Sequence, residues 1–206
     1  SKDNCEKILK EVSKPLNNIK AGKYSDSNKY HSFQKYGVYR ILEVDTFSRI
    51  TRDFFDNEII RSIAKSYVRE DVSSYQRMAE LRIGDNKSSK ADKKHFDDWR
   101  IRFKAFLYLT DVSEDNAPLR YIRNTHKIKF STKRFFKEYD YFLNGRNGMH
   151  GYFSDEEIDI LTSKYNLEEE ICIANAGTLI LVDTRGIHSG SKLVNGKRVI
   201  LANYFR

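Results

Sequence analysis

From residue 75 onward, the sequence is a succession of short apolar segments separated by turn-forming residues. Six of these segments are rich in β-branched and aromatic residues, which is typical of β-strands. Turns are indicated at residues 113–117, at Ala176-Gly177 and at Asn195-Gly196. The predicted strands cover residues 75–83, 103–110, 119–122, 170–174, 178–182 and 198–204, with a weaker strand at 38–44.

Helices are predicted mainly before these strands. Apolar residues recur every three or four positions in residues 4–20 and 54–68, which indicates two amphipathic helices. Residues 130–168 form a partly helical insertion, in which Ser154 and Glu157 make a capping box before an apolar run.

Helices first and strands second favour a mainly β fold over an α/β fold. No Gly-rich phosphate loop is present in the sequence. We therefore expect an antiparallel sandwich or barrel-like jelly roll. The expected organisation is a single domain, residues 1–206, with helical support in 1–70, jelly-roll strands in 71–129 and 169–206, and the insertion in 130–168.

Composition bounds the class of protein. The 206 residues carry a net charge of +8 and 13% aromatic residues, which is typical of a globular chain. The positive charge favours an anionic partner such as a phosphorylated metabolite, a carrier or nucleic acid. Because the charge is spread along the whole chain, nucleic acid is not the expected partner. The sequence carries no signal for oligomeric state.

Cys5 and Cys172 are the only cysteines, so no disulfide framework and no cysteine-based zinc site is predicted. A reducing, cytoplasmic location is expected. No apolar run is long enough to predict a membrane span. The chain begins at Ser1 and stops within a strand-like stretch, so native residues are expected beyond it.

His95-Phe96-Asp97 places an imidazole and a carboxylate two residues apart. In an extended segment, residues i and i+2 point to the same face, so both side chains can reach one cation. His188 follows the apolar segment 178–182 and can supply a third ligand. Two histidines and one carboxylate, with open positions, suit a non-haem Fe(II) oxygenase.

Arg198 lies ten residues after His188, and the Asn195-Gly196 turn between them predicts neighbouring strands. Arg198 can then point into the same cavity as His188. A buried arginine favours a carboxylate, which it binds through two parallel hydrogen bonds.

These motifs together resemble the phytanoyl-CoA dioxygenase-like branch of the Fe(II)/2-oxoglutarate-dependent oxygenases. The similarity covers roughly residues 75–206 and rests on the order and spacing of the motifs, because no single one is specific. The matching segments are His95-Phe-Asp97, Lys104-Ala-Phe-Leu-Tyr-Leu-Thr-Asp111, Asn116-Ala-Pro-Leu119, Asn124-Thr-His-Lys127, Gly177-Thr-Leu-Ile-Leu-Val-Asp183, His188 and Arg198.

The resemblance implies a double-stranded β-helix, which is a cupin-like jelly roll. It implies an iron site formed by His95, Asp97 and His188, with 2-oxoglutarate bound through its distal carboxylate by Arg198. Such enzymes use O2 and release succinate and CO2. Related halogenases have a small residue in place of the carboxylate, so Asp97 favours hydroxylation of a small, possibly anionic substrate.

Further residues are candidates for the cosubstrate and substrate sites. Lys104 either reaches 2-oxoglutarate from inside the barrel or lies at its rim. Gly190 stands where some members have a serine that contacts the cosubstrate, and Ser189 or Ser191 can substitute for it. Trp99 and Arg82 are candidate substrate contacts, although an aromatic residue is more often part of the core or rim.

Two other functions stay open. The chain can be a jelly-roll binding module whose metal is structural or absent, or an oxygenase that acts on nucleic acid. Of the remaining histidines, His126 is expected to cap a turn, and His150 is expected to lie at the surface or on the substrate side. Substrate selection is expected to reside in the loop-like residues 22–36, 84–94 and 130–168.

Overall fold

We describe a computed structural model of the chain over residues 2–23, 32–35, 37–46, 48–84, 90–98, 100–127 and 151–206. Trp99, His31, His150 and most of the predicted insertion lie outside the described residues. In the described ranges, no helix is long and apolar enough to cross a membrane.

Four α-helices are described: α1 (Lys2–Lys20), α2 (Arg49–Phe55), α3 (Glu58–Val68) and α4 (Asp155–Tyr165). Short 3-10 helices lie at Val44–Thr46 and Lys90–Asp92. The prediction of α1 is confirmed, and its buried face contains Cys5, Ile8, Val12, Leu16 and Ile19. The capping box of α4 is also present, with Ser154 Oγ accepting from Glu157 N.

The prediction of one helix over residues 54–68 is wrong. The chain leaves the helical conformation at Asp56, and Asn57 caps a new helix by accepting from the amides of Ile59 and Ile60 at 3.1 Å. This cap satisfies two amides that have no partner within the first turn of the new helix. Ile59, expected on the buried stripe, is 72% exposed.

All strand pairings are antiparallel, so the mainly β prediction is confirmed. A six-stranded sheet has the order β1-β2-β3-β9-β4-β7, and a three-stranded sheet has the order β6-β5-β8. The strands are β1 (Ser32–Lys35), β2 (Val38–Leu42), β3 (Ser74–Ile83), β4 (Phe103–Tyr108), β5 (Arg120–Ile122), β6 (Glu169–Ile171), β7 (Leu179–Asp183), β8 (His188–Ser189) and β9 (Lys197–Phe205). Strand β1 corrects the prediction that residues 22–36 are all loop, because its backbone pairs with β2 despite a polar sequence.

The two faces of the large sheet have different roles. One face packs against the N-terminal helices through a continuous apolar core. Side chains alternate across a strand, so the intervening residues of β2, β3, β4 and β9 point to the opposite face. That face carries a smaller apolar cluster around Met78, Tyr108 and Ile200, and beside it a polar cavity. The helices thus cover one face of the large sheet, and the polar cavity lies on the other face.

Candidate metal centre

His95 and His188 are held side by side by the backbone. The amide of each donates to the carbonyl of the other at 2.8 Å, and the two ring centroids are 4.4 Å apart. Asp97 is fixed on the same side because its amide donates to Thr184 O at 3.0 Å. Each of the three side chains offers one ligand atom, and these three atoms of His95, Asp97 and His188 lie within 4.8 Å of one another.

The hydrogen bonds of both imidazoles assign their tautomers. Nδ1 lies 2.7 Å from Lys93 O in His95 and 2.9 Å from Gly186 O in His188. A carbonyl oxygen only accepts, so each Nδ1 carries the proton and each Nε2 keeps a lone pair. Both Nε2 atoms are 3.8 Å from an Asp97 carboxylate oxygen. A backbone carbonyl behind the ring is the usual support of a metal-binding histidine.

The charge states suit a divalent cation. Burial, followed by repulsion from His95, lowers the pKa of His188 to about 3, and burial also lowers the pKa of His95. Burial alone would raise the pKa of Asp97, but Lys104 and then His188 outweigh it and hold that pKa far below its usual range. At neutral pH the set is two neutral imidazoles and one carboxylate. This donor set fits Fe(II).

The three residues face a cavity of about 380 Å³ on the free face of the large sheet. Its polar lining is contributed by Arg40 of β2, Glu80 and Arg82 of β3, Lys104 of β4, Arg198 and Tyr204 of β9, and Tyr152. The sequence-predicted residues Arg198, Lys104 and Arg82 therefore lie in the same cavity as the metal ligands.

Lys104 lies inside the cavity and not at its rim. Its side chain is 9% exposed, and Nζ is 2.5 Å from Oδ2 of Asp97. Nζ also lies 3.9 Å from the centroid of the Tyr204 ring. The ion pair and the aromatic face together stabilise a charge that burial alone would disfavour.

Arg198 is buried and tightly held. Nη2 donates to Oε1 of Glu80 at 2.7 Å, and Nη1 donates to the carbonyl of Ala117. Ala117 has a φ of 59°, a conformation that favours glycine. Asn116 secures the same turn by donating to Asn195 O at 2.7 Å.

Arg82 forms a buried ion pair with Asp92 beside the cavity. A Cβ atom at Gly190 would lie 2.7 Å from Nη1 of Arg82. The guanidinium of Arg82 thus fills the space that a serine would take, which accounts for the glycine.

Ser189 and Ser191 do not line the metal cavity. They line a neighbouring polar cavity of about 680 Å³, on the other side of β8. Successive residues of a strand point to opposite faces, so Ser189 is directed away from the face of His188. Ser191 Oγ donates to Pro118 O and accepts from Arg120 Nε.

Sequence reasoning missed several polar cavity residues, among them Arg40, Gln76, Glu80, Tyr152 and Tyr204. Glu80 lies two residues before Arg82 on β3, so the alternation of the strand could have placed both side chains on the same face. Tyr152 gave no such signal because it pairs with His95 through a single bridge, with the rings stacked 5.2 Å apart.

Comparison with known proteins gives matches only among solved structures. No family model matches the sequence, and no curated protein does. The iron-bound EctD from S. alaskensis aligns with a TM-score of 0.65 and 15% identity over 100% of this chain and 69% of that chain. The chain has the fold of a solved iron protein.

Two further structures share this fold. The non-heme alpha ketoglutarate dependent carbocyclase SnoK from nogalamycin biosynthesis aligns with a TM-score of 0.61 and 11% identity, over 100% of this chain and 75% of that chain. HygX from Streptomyces hygroscopicus, with nickel and 2-oxoglutarate bound, aligns with a TM-score of 0.60 and 14% identity, over 100% of this chain and 78% of that chain. The predicted resemblance is confirmed at the level of the fold.

Proposed function

We propose that this chain is an Fe(II)/2-oxoglutarate-dependent dioxygenase that hydroxylates a C–H bond of a small, anionic molecule. One observation carries the proposal: Nε2 of two neutral histidines and the Asp97 carboxylate converge in the cavity that also contains buried Arg198. A binding module with a structural metal has no need for that arginine. The fold shared with SnoK and HygX supports an enzyme.

His95, Asp97 and His188 would hold the iron, and three protein ligands leave positions open for a cosubstrate and O2. Bound iron with 2-oxoglutarate supplies oxidative decarboxylation to succinate and CO2, coupled to oxidation of the substrate. Arg198 binds the distal carboxylate through its guanidinium. Lys104 keeps Asp97 ionised and oriented.

Hydroxylation is favoured by the retained carboxylate of Asp97, since related halogenases lack one at this position. Structures of similar fold include an epimerase and a carbocyclase, so the fold alone does not select the outcome.

The substrate is proposed to be small because the cavity of about 380 Å³ is near the lower end of ligand sites. Among the described lining residues, Arg40, Arg82, Lys104 and Arg198 are cationic, whereas Glu80 and Asp97 are anionic, and Asp92 beside the cavity pairs with Arg82. This excess of positive charge favours an anionic substrate.

The proposal is tested by incubating the protein with Fe(II), O2 and 2-oxoglutarate and measuring succinate, with and without a library of small acids. We expect slow release without a library compound and stimulation by its substrate. Asp97→Ala should remove activity, whereas Asp98→Asn, at a neighbouring carboxylate outside the cavity lining, should retain it. Absence of iron-dependent succinate would favour the binding module.

A further inference from the structure

A buried carboxylate lies directly behind the arginine of the proposed cosubstrate site. Glu80 is 4% exposed and Arg198 is 6% exposed. Oε1 of Glu80 accepts from Nη2 of Arg198 at 2.7 Å, and Oε2 accepts from Nε of Arg40 at 2.6 Å. We propose that Glu80 is a positioning residue that orients Arg198 for the distal carboxylate of 2-oxoglutarate. This inference rests on the proposed function.

The sheet register brings the three side chains together. Glu80 of β3 lies opposite Arg40 of β2 on one side and opposite Ile200 of β9 on the other. Arg198 of β9 lies two residues before Ile200 and opposite Arg82 of β3. Residues at i and i+2 share a face, so Glu80 reaches both arginines without leaving the sheet surface.

The electrostatics leave Arg198 able to bind an anion. Burial alone would raise the pKa of Glu80, but Arg40 and then Arg198 outweigh it and lower the pKa to about 2. Glu80 is therefore ionised at neutral pH. Because Arg40 shares this carboxylate, the group of three keeps a net positive charge, and Arg198 is not neutralised.

The hydrogen bonds of Arg198 fix its plane. Nη1 is anchored by Ala117 O and Nη2 by Glu80, whereas the buried Nε makes no hydrogen bond to any described residue. A guanidinium has five N–H donors in a rigid fork, so two anchors set the direction of the remaining ones. Nη1 and Nη2 each carry a second N–H, and these two donors would bind the distal carboxylate.

The test measures binding of 2-oxoglutarate to the Mn(II)-loaded protein by calorimetry, which avoids turnover. Glu80→Asp keeps the charge but shortens the reach, so Arg198 loses one anchor. We expect its Kd for 2-oxoglutarate to rise about tenfold or more, the value of one hydrogen bond between charged groups. Glu80→Gln keeps the reach and an acceptor oxygen, and we expect a smaller increase. Mn(II) affinity should be unchanged in both variants.

A larger rise in Kd in Glu80→Asp than in Glu80→Gln indicates that Glu80 positions Arg198. Succinate release at saturating 2-oxoglutarate should stay near the wild-type rate in both variants, with the change confined to KM. Glu170→Gln, at an exposed ion pair with Arg123, is the matched control and should leave KM unchanged. An unchanged Kd in folded Glu80→Asp, or a larger loss in Glu80→Gln than in Glu80→Asp, would overturn the inference.

A third variant keeps the test decisive if both Glu80 variants fail to fold. Arg40 has a side chain that is 30% exposed, so Arg40→Gln is less disruptive. Oε2 of Glu80 would then lose its hydrogen bond to Arg40, so the carboxylate would hold Arg198 less firmly. We expect weaker 2-oxoglutarate binding, and unchanged binding would overturn the inference. If the wild-type protein itself does not bind 2-oxoglutarate, the proposed function fails. If it binds and these variants match it, only the role of Glu80 fails.

Discussion

Lys104 and Asp97 form an ion pair within the metal cavity, with Nζ 2.5 Å from Oδ2. Burial would raise the pKa of Asp97, and Lys104 is the largest influence that lowers it. In Lys104→Met the burial stays and the cation is lost, so we expect the pKa of Asp97 to rise. The pH below which the Mn(II) affinity falls should then be higher. Lys197→Met, at an exposed position on β9, is the control; an unchanged pH dependence of Mn(II) affinity in Lys104→Met would refute this role.

The metal-free protein should lose stability as the pH falls below neutrality. Burial lowers the folded-state pKa of His188 to about 3, against a usual value of 6.5. The unfolded chain therefore binds more protons between these values, and the stabilisation present above pH 6.5 is lost as pH falls. This amounts to about 2 kcal/mol between pH 6.5 and pH 5.

Urea unfolding of the metal-free protein at several pH values measures this effect. His188→Gln should flatten the dependence over this interval. An equally steep loss in His188→Gln would show that other groups cause it.

Gly151 permits the close approach that places Tyr152 beside His95. A Cβ atom there would lie 2.5 Å from Phe96 O, and φ is +75°. Gly151→Ala should reduce the free energy of unfolding by about 2 kcal/mol, from overpacking together with the left-handed conformation. It should also weaken Mn(II) binding, because His95 must shift.

Gly22→Ala is the matched control for Gly151→Ala. Gly22 also has a positive φ, +68°, but a Cβ atom there meets nothing within 4 Å. We expect a loss of about 1 kcal/mol in stability without a change in Mn(II) affinity. Equal Mn(II) affinity in both variants would contradict the account of Gly151.

The sequence was most informative where chemistry and local pattern coincide. His95, Asp97, His188 and Arg198 could be assigned from residue type and spacing along the chain, and the cavity contains all four. Five of the six strands of the large sheet, all except the polar β1, were similarly visible as apolar segments of suitable length.

Features that depend on pairing between distant segments could not be predicted. Glu80 meets Arg198 across 118 residues, and only the register of β3 with β9 brings them together. Tyr152 reaches His95 through one bridge next to a glycine. Register is set by the whole sheet, and no local sequence pattern specifies which polar residues it will place in contact.

Our proposal requires that one cavity holds both the metal and 2-oxoglutarate. Anaerobic titration of the Fe(II)-loaded protein with 2-oxoglutarate, followed by visible absorption, tests it directly. We predict a charge-transfer band that saturates at one equivalent of 2-oxoglutarate, is absent in Asp97→Ala and requires higher concentrations in Arg198→Met. A wild-type protein that binds Fe(II) but develops no band with 2-oxoglutarate would contradict the claim.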